Sequence, residues 1–165
     1  MDRFVSNVTL RLDAKGRVSV PASFRQVLAR DGFDGLYCYP TLDNPALDAG
    51  GNALLAEIER LIGDFPPYSD EREQFSVALY GTSETLKLDG EGRVILTERL
   101  KDHAGITEAA TFVGLGHKFQ IWEPERFRAH LTEATETVRA LRKQLGSRRS
   151  APDARGAREL GARER

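Results

Sequence analysis

Leucine alternates with polar residues from Thr9 to Leu12, and valine does the same from Arg17 to Val20, so each stretch has the period-two pattern of a strand with one buried face. Asp13-Ala14-Lys15-Gly16 between them reads as a turn, where Gly16 takes a positive φ without a Cβ clash. Pro21 suits the first turn of a following helix, a position that needs no intrahelical N–H donor. Phe24, Val27 and Leu28 give that helix its apolar face, Gly32 ends it, and Leu36 to Tyr39 read as a further strand.

The same pattern returns later in the chain. Thr9-Leu10-Arg11-Leu12-Asp13-Ala14-Lys15-Gly16-Arg17-Val18 recurs as Thr85-Leu86-Lys87-Leu88-Asp89-Gly90-Glu91-Gly92-Arg93-Val94, at an offset of 76 with seven of ten positions identical. In this copy Gly92 replaces Gly16 at the turn, Thr97 reads as an N-cap through its hydroxyl, and Leu100 supplies the apolar face. Gly105 reads as the stop and Thr111 to Leu115 as the closing strand, again at the 76-residue offset. One strand-turn-strand-helix-strand unit is too small to bury a core, so the two copies are expected to complete each other. The expected fold is α+β and β-rich, an intertwined barrel-like body.

Between the copies, residues 53–62 read as a helix with Leu54, Leu55, Ile58, Leu61 and Ile62 on one side. Pro66-Pro67 separates it from another, capped by Ser69 and running towards Tyr80. Phe127, Leu131, Ala134, Val138, Leu141 and Leu145 follow at steps of four, three, four, three and four, an amphipathic helix with a narrow seam for the chain's own body or a sister subunit. The expected organisation is a first repeat over 7–52, a helical connector over 53–80, a second repeat over 83–126, a C-terminal helix over 127–146 and a disordered tail over 147–165. That tail has six Arg against three acidic residues and hardly any large apolar ones.

Composition narrows the class. Of 165 residues, 40% are hydrophobic and 30% charged, with no apolar run near the ~20 residues that a membrane helix needs. Met1-Asp2-Arg3-Phe4 lacks the basic-then-apolar signature of a secretion signal, so a cytoplasmic location without membrane association is expected. Cys38 has no second cysteine to pair with and no ligand spacing, and reads as a small buried apolar residue. The net charge of −1 gives no global attraction to a polyanion, so any nucleic-acid surface must be a local basic patch.

Catalytic chemistry finds little support. His103, His117 and His130 are scattered and none recurs in the other copy, which suits surface or capping roles better than ligation or catalysis. Gly114-Leu115-Gly116 follows a strand, but no third glycine and no helix follow, so a dinucleotide fingerprint fails. Asp89-Gly90-Glu91-Gly92 lacks the later bidentate glutamate of a calcium loop. No enzyme activity, cofactor or metal is expected.

Basic residues occupy three matched positions in the copies: Arg11 with Lys87, Arg17 with Arg93, and Arg25 with Lys101. Arg11 alternates with leucines and Arg17 with valine, so one hairpin face is expected to hold both cations. Asp13 and Asp89 are expected to accept turn N–H groups and to pair with Arg17 and Arg93, since an exposed carboxylate would repel phosphate.

The paired Asp-x-x-x-Arg hairpins, with Ala104-Gly105-Ile106 and the run Gly114-Leu115-Gly116-His117-Lys118-Phe119-Gln120-Ile121-Trp122, resemble the MraZ family, whose halves are similar to the SpoVT/AbrB DNA-binding domain. The resemblance covers roughly residues 5–145. It implies a swapped-hairpin barrel within one chain, an intramolecular pseudo-dimer, and assembly into a closed homo-oligomeric ring. It also implies a nucleoid-associated regulator of transcription, acting on the promoter of the division and cell-wall gene cluster through short direct repeats in double-stranded DNA. Arg17 and Arg93 are then expected to read bases, because a planar guanidinium donates two parallel hydrogen bonds to guanine O6 and N7. Lys15, Arg11, Lys87, Arg25 and Lys101 are expected at phosphates. Asp13, Asp89, Gly16 and Gly92 shape the turns. The chain departs from the family pattern where Glu91 stands opposite Lys15, Thr97 opposite Pro21, and where Pro45 to Ala53 is Gly-rich. An antitoxin-like protein-interaction module of the same superfamily is the alternative reading.

Overall fold

The computed structural model describes residues 2–150, and the chain divides into two compact units after Arg126. In chain order the elements are β1 (Asn7–Arg11), β2 (Arg17–Ser19), α1 (Ala22–Arg30), β3 (Leu36–Pro40), β4 (Ala46–Gly50), α2 (Asn52–Gly63), α3 (Asp70–Leu79), β5 (Glu84–Leu86), β6 (Arg93–Ile95), α4 (Glu98–Ala104), β7 (Ala109–Gly114), β8 (Phe119–Trp122) and α5 (Pro124–Ser150). The fold is mixed α+β with an antiparallel sheet, as the pattern predicts.

The pairing is less local than a hairpin reading suggests. A six-stranded sheet runs β1-β7-β8-β4-β3-β5, and β2 pairs with β6 in a separate two-stranded ribbon. The turn of each copy closes as expected: Gly16 N–H donates to Asp13 O and Asp13 N–H to Arg17 O, and Gly92, Asp89 and Arg93 repeat both bonds. Beyond the turn the strands part. β1 lies against β7, β5 against β3, and β2 against β6, so every one of these pairs joins the first copy to the second. Among the described residues the strands form an open sheet and a ribbon, and no closed barrel is found. The strand order leaves β1 and β5 as the edges of that sheet.

One core is shared by both copies. Val18, Val20, Phe24, Leu28 and Leu36 pack with Val94, Leu96, Leu100, Phe112, Phe119 and Ile121, all essentially inaccessible. Phe24 meets Phe119 at a centroid separation of 4.9 Å, and Phe4 meets Phe119 at 4.8 Å. Rings at such spacings contribute about 0.5–1.5 kcal/mol beyond their area burial.

β3 alternates between two cores: Leu36 and Cys38 face the first, while Tyr37 and Tyr39 join Leu54, Ile58, Ile62 and Leu79 beneath α2 and α3. Burial pushes the Cys38 thiol up to about 12, which fits the apolar role read from sequence. The Gly-rich stretch after Pro45, where the chain departs from the family pattern, forms β4, buried along its whole length between β3 and β8. Its closing glycines have a steric reason. A Cβ on Gly51 would lie 2.6 Å from Asp31 Oδ2 and 2.9 Å from Phe33 Cβ, so only a bare backbone can pass there into α2.

Several boundaries differ from the sequence reading. Pro21 precedes α1 as its N-cap residue rather than entering the first turn. Thr97 sits at the N-cap of α4, but its hydroxyl donates to Glu84 Oε2 at 2.9 Å and does not cap. By contrast Ser69 Oγ accepts the Arg72 N–H at 3.2 Å, as expected of a cap. β7 already begins at Ala109, so the 76-residue offset does not survive the α4–β7 connection. α5 continues through Gly146 to Ser150, because extending an existing helix adds one hydrogen bond per residue ordered. The rest of the expected tail, residues 151–165, lies outside the described residues.

Candidate nucleic-acid interface

Each turn is organised by its aspartate. Asp13 Oδ1 accepts the backbone N–H groups of Lys15 and Arg17, both at 2.9 Å, and Oδ2 accepts Arg17 Nε at 2.6 Å. Asp89 does the same for Glu91, Arg93 and Arg93 Nε, each at 2.9 Å. The Arg17 and Arg93 backbone N–H groups, ahead of the side-chain bonds, hold the two carboxyls below the ordinary 3.8. Gly16 and Gly92 close the turns at φ of +79° and +77°, where a Cβ would strain the backbone.

The register of the ribbon decides which side chains share a face. Arg17 lies opposite Ile95, Val18 opposite Val94, and Ser19 opposite Arg93. Alternation therefore sends Val18 and Val94 into the core, each 1% exposed, and puts Arg17, Ser19, Arg93 and Ile95 together on the outer face. Both arginines remain partly accessible, with side chains 31% and 26% exposed. They are not equivalent. Asp13 holds Arg17 through Nε, whereas Arg93, held likewise by Asp89, also has Nη2 3.4 Å from Glu91 Oε2.

The cations on the helices cross between copies. A Cβ on Gly92 would meet Arg25 Cζ at 2.6 Å, and one on Gly16 would meet Lys101 Nζ at 3.6 Å, so each helix cation lies beside the other copy's turn. Arg25 Nε donates to Val20 O at 3.1 Å, while Lys101 Nζ pairs with Glu98 Oε1 at 2.9 Å. Lys15 is exposed on the first turn. Arg11 and Lys87 are exposed as well, Arg11 at the turn-proximal end of β1 and Lys87 directly after β5. The structure thus gathers Arg17, Arg93, Lys15, Arg25 and Lys101 around one ribbon. Arg11 does not share a strand ladder with Arg17, because β1 and β2 separate after the turn.

Sequence reasoning overlooked Ser19 and Ile95, although their signal was present: each stands two residues beyond an arginine in a period-two strand. It also overlooked Glu98, whose helical i,i+3 spacing to Lys101 announces an ion pair. The histidines serve elsewhere. His117 lies against the Glu57 carboxylate, and His103 Nε2 is 3.3 Å from Asn44 O. Among the described residues no helix is long and apolar enough to cross a membrane.

Comparison with known proteins places these features in company. A family model described as "MraZ protein, putative antitoxin-like" matches residues 79–147. The chain is similar to a protein of Xanthobacter autotrophicus named Transcriptional regulator MraZ, 66% identical over 92% of this chain and 97% of that one. It is similar to its namesake in Beijerinckia indica at 65% identity over 99% of this chain and the whole of that one. In Rhizobium rhizogenes a protein of the same name is 43% identical over 91% of this chain and 99% of its own.

Proposed function

The chain belongs to the MraZ family, and from that premise we propose that it is a transcriptional regulator that binds duplex DNA sequence-specifically through the outer face of the β2–β6 ribbon. The observation that carries this reading is the register that sets Arg17 and Arg93 on one face, diagonally across the ribbon, backed by Val18 and Val94. A two-stranded ribbon fits the major groove. Asp13 and Asp89 hold their arginines by Nε, so each guanidinium is oriented in advance; Arg17 keeps its terminal Nη edge for guanine O6 and N7, and Arg93 does so once Nη2 leaves Glu91. Lys15, Arg11, Lys87, Arg25 and Lys101 serve the phosphates, which position the protein without reading sequence. Glu91 in place of Lys15 makes the second turn the weaker phosphate contact.

So few cations per chain bind weakly on their own. Repeated contact by a closed homo-oligomeric ring supplies affinity, because a tethered second contact sees a high effective concentration. The seam of α5 supports self-association: Leu131, Val138, Leu141 and Leu145 are about half exposed within one chain. The two copies, joined through β1–β7, β2–β6 and β3–β5, act as a swapped-hairpin pseudo-dimer. The regulated site is the promoter of the division and cell-wall gene cluster, read through short direct repeats, by a cytoplasmic, nucleoid-associated protein.

A gel-shift titration on that promoter tests the reading. Arg17→Ala and Arg93→Ala should each weaken binding by roughly 5- to 150-fold, corresponding to the ~1–3 kcal/mol of a bidentate base contact. An antitoxin-like protein-interaction role predicts unchanged DNA affinity, and that result would overturn the proposal.

A further inference from the structure

We propose that Ile95 is a specificity-determining residue that reads a thymine methyl group beside the base pair addressed by Arg17, an inference that rests on the DNA-binding reading above. Ile95 is 55% exposed and is the direct cross-strand partner of Arg17. Side chains opposite one another on a sheet face stand about 5 Å apart at Cβ. Successive phosphates of one DNA strand are about 3.4 Å apart along the helix axis. A guanidinium and a sec-butyl group so placed address the same or adjacent base pairs.

Strand packing does not explain the isoleucine. Its neighbours Val94 and Leu96 are 1% and 2% exposed and supply the buried side of that strand, while Ile95 lies on the outer side. The matched residue of the first copy is Ser19, also exposed, so the same strand position in the same ribbon accepts a small polar residue. On a face otherwise made of Arg17, Arg93 and Ser19, an apolar side chain has one suitable partner in the major groove, the C5-methyl of thymine. Ser19, opposite Arg93, offers a hydroxyl instead. The two ends of the ribbon therefore differ. One carries Arg17, Ile95 and the nearby Lys15, and the other carries Arg93, Ser19 and the nearby Glu91. A pseudo-symmetric fold is thereby given a directional reading face.

The test uses the full chain and a duplex selected by it from a random pool, in which thymines are replaced one at a time by deoxyuridine. Deoxyuridine pairs identically and lacks only the methyl. At one or two positions the wild-type protein should bind on the order of fourfold more weakly, the effect of one apolar carbon no longer buried. Ile95→Ser should bind the thymine and deoxyuridine duplexes equally there. Indifference of the wild type at every position, or undiminished discrimination by Ile95→Ser, overturns the proposal. The deoxyuridine series on the wild type needs no variant, and a melting curve of Ile95→Ser checks that it folds. Arg17→Ala on the same duplex keeps the two readings apart. If that variant loses affinity while no methyl is read, only the role of Ile95 falls; if no duplex is selected, or Arg17→Ala and Arg93→Ala bind as the wild type does, the DNA-binding reading falls with it.

Discussion

Arg25, on α1 of the first copy, lies over Gly92 in the turn of the second, so close that a Cβ on Gly92 would come within 2.6 Å of the guanidinium carbon. The matching pair is looser, with Lys101 Nζ 3.6 Å from the place a Cβ on Gly16 would occupy. Turn and helix of different copies are thus packed together at the edge of the ribbon, and the packing is tighter on the side of the second turn.

This difference separates Gly92→Ala from Gly16→Ala. Both force alanine to a positive φ, at a cost of about 1–2 kcal/mol, and each should lower the melting temperature by a few degrees. Only Gly92→Ala must also displace the Arg25 guanidinium from its bond to Val20 O. At matched stability loss, Gly92→Ala should therefore weaken DNA binding more. Urea unfolding and fluorescence anisotropy on the same pair of variants check this, and equal binding losses would contradict it.

Acid should loosen the turns late. The carboxyls of Asp13 and Asp89 are held below the ordinary 3.8, chiefly by the backbone N–H groups of Arg17 and Arg93. A depressed value means that the unfolded chain takes up these protons first, so the contribution is complete above about pH 5 and is lost as pH falls through the folded-state values. Carboxyl chemical shifts followed by NMR should show both residues titrating below ordinary aspartate. Asp13→Asn with Asp89→Asn should remove that part of the acid dependence.

The charge on the two turns sets the salt dependence of binding. Lys15→Glu makes the first turn resemble the second, and Glu91→Lys does the reverse while removing the carboxylate 3.4 Å from Arg93 Nη2. Glu91→Lys should tighten binding and steepen the slope of log affinity against log salt by about 0.9 for each added phosphate contact. Lys15→Glu should weaken binding and flatten it. Anisotropy titrations across a salt series give both slopes.

Assembly should fail when the α5 seam becomes charged. Leu141 is 51% exposed and Val138 53% exposed, so a glutamate at either position meets water in the isolated chain and is buried in a packed seam. Val138→Glu and Leu141→Glu should leave the melting of the body nearly unchanged, yet shift light scattering to a smaller particle and reduce promoter affinity through lost multivalency. Particles of wild-type size would show that another surface holds the ring.

Much of this was legible in residues alone. The internal repeat, the aspartate-braced turns, the capping Ser69 and the inward valines of the ribbon all follow from interactions within a few residues, where spacing fixes geometry. β4 was not legible, because Gly50 at its end and Gly51 just after it owe their size to side chains from α1, α2 and the loop after α1 pressing against them. Thr97 misled for a similar reason: Glu84, thirteen residues away and on another strand, captures the hydroxyl that would otherwise cap α4.

The sequence by itself determined that this chain carries two copies of one small unit, and which residues of each turn face inward or outward, since period and turn chemistry are local properties. Only the tertiary structure decided which strand lies against which. Each copy exposes backbone edges and apolar faces that several partners would satisfy, and the choice falls to the packing that buries Val18 against Val94 and closes one core from both halves. That choice sets Ile95 beside Arg17 and carries Arg25 across to Gly92.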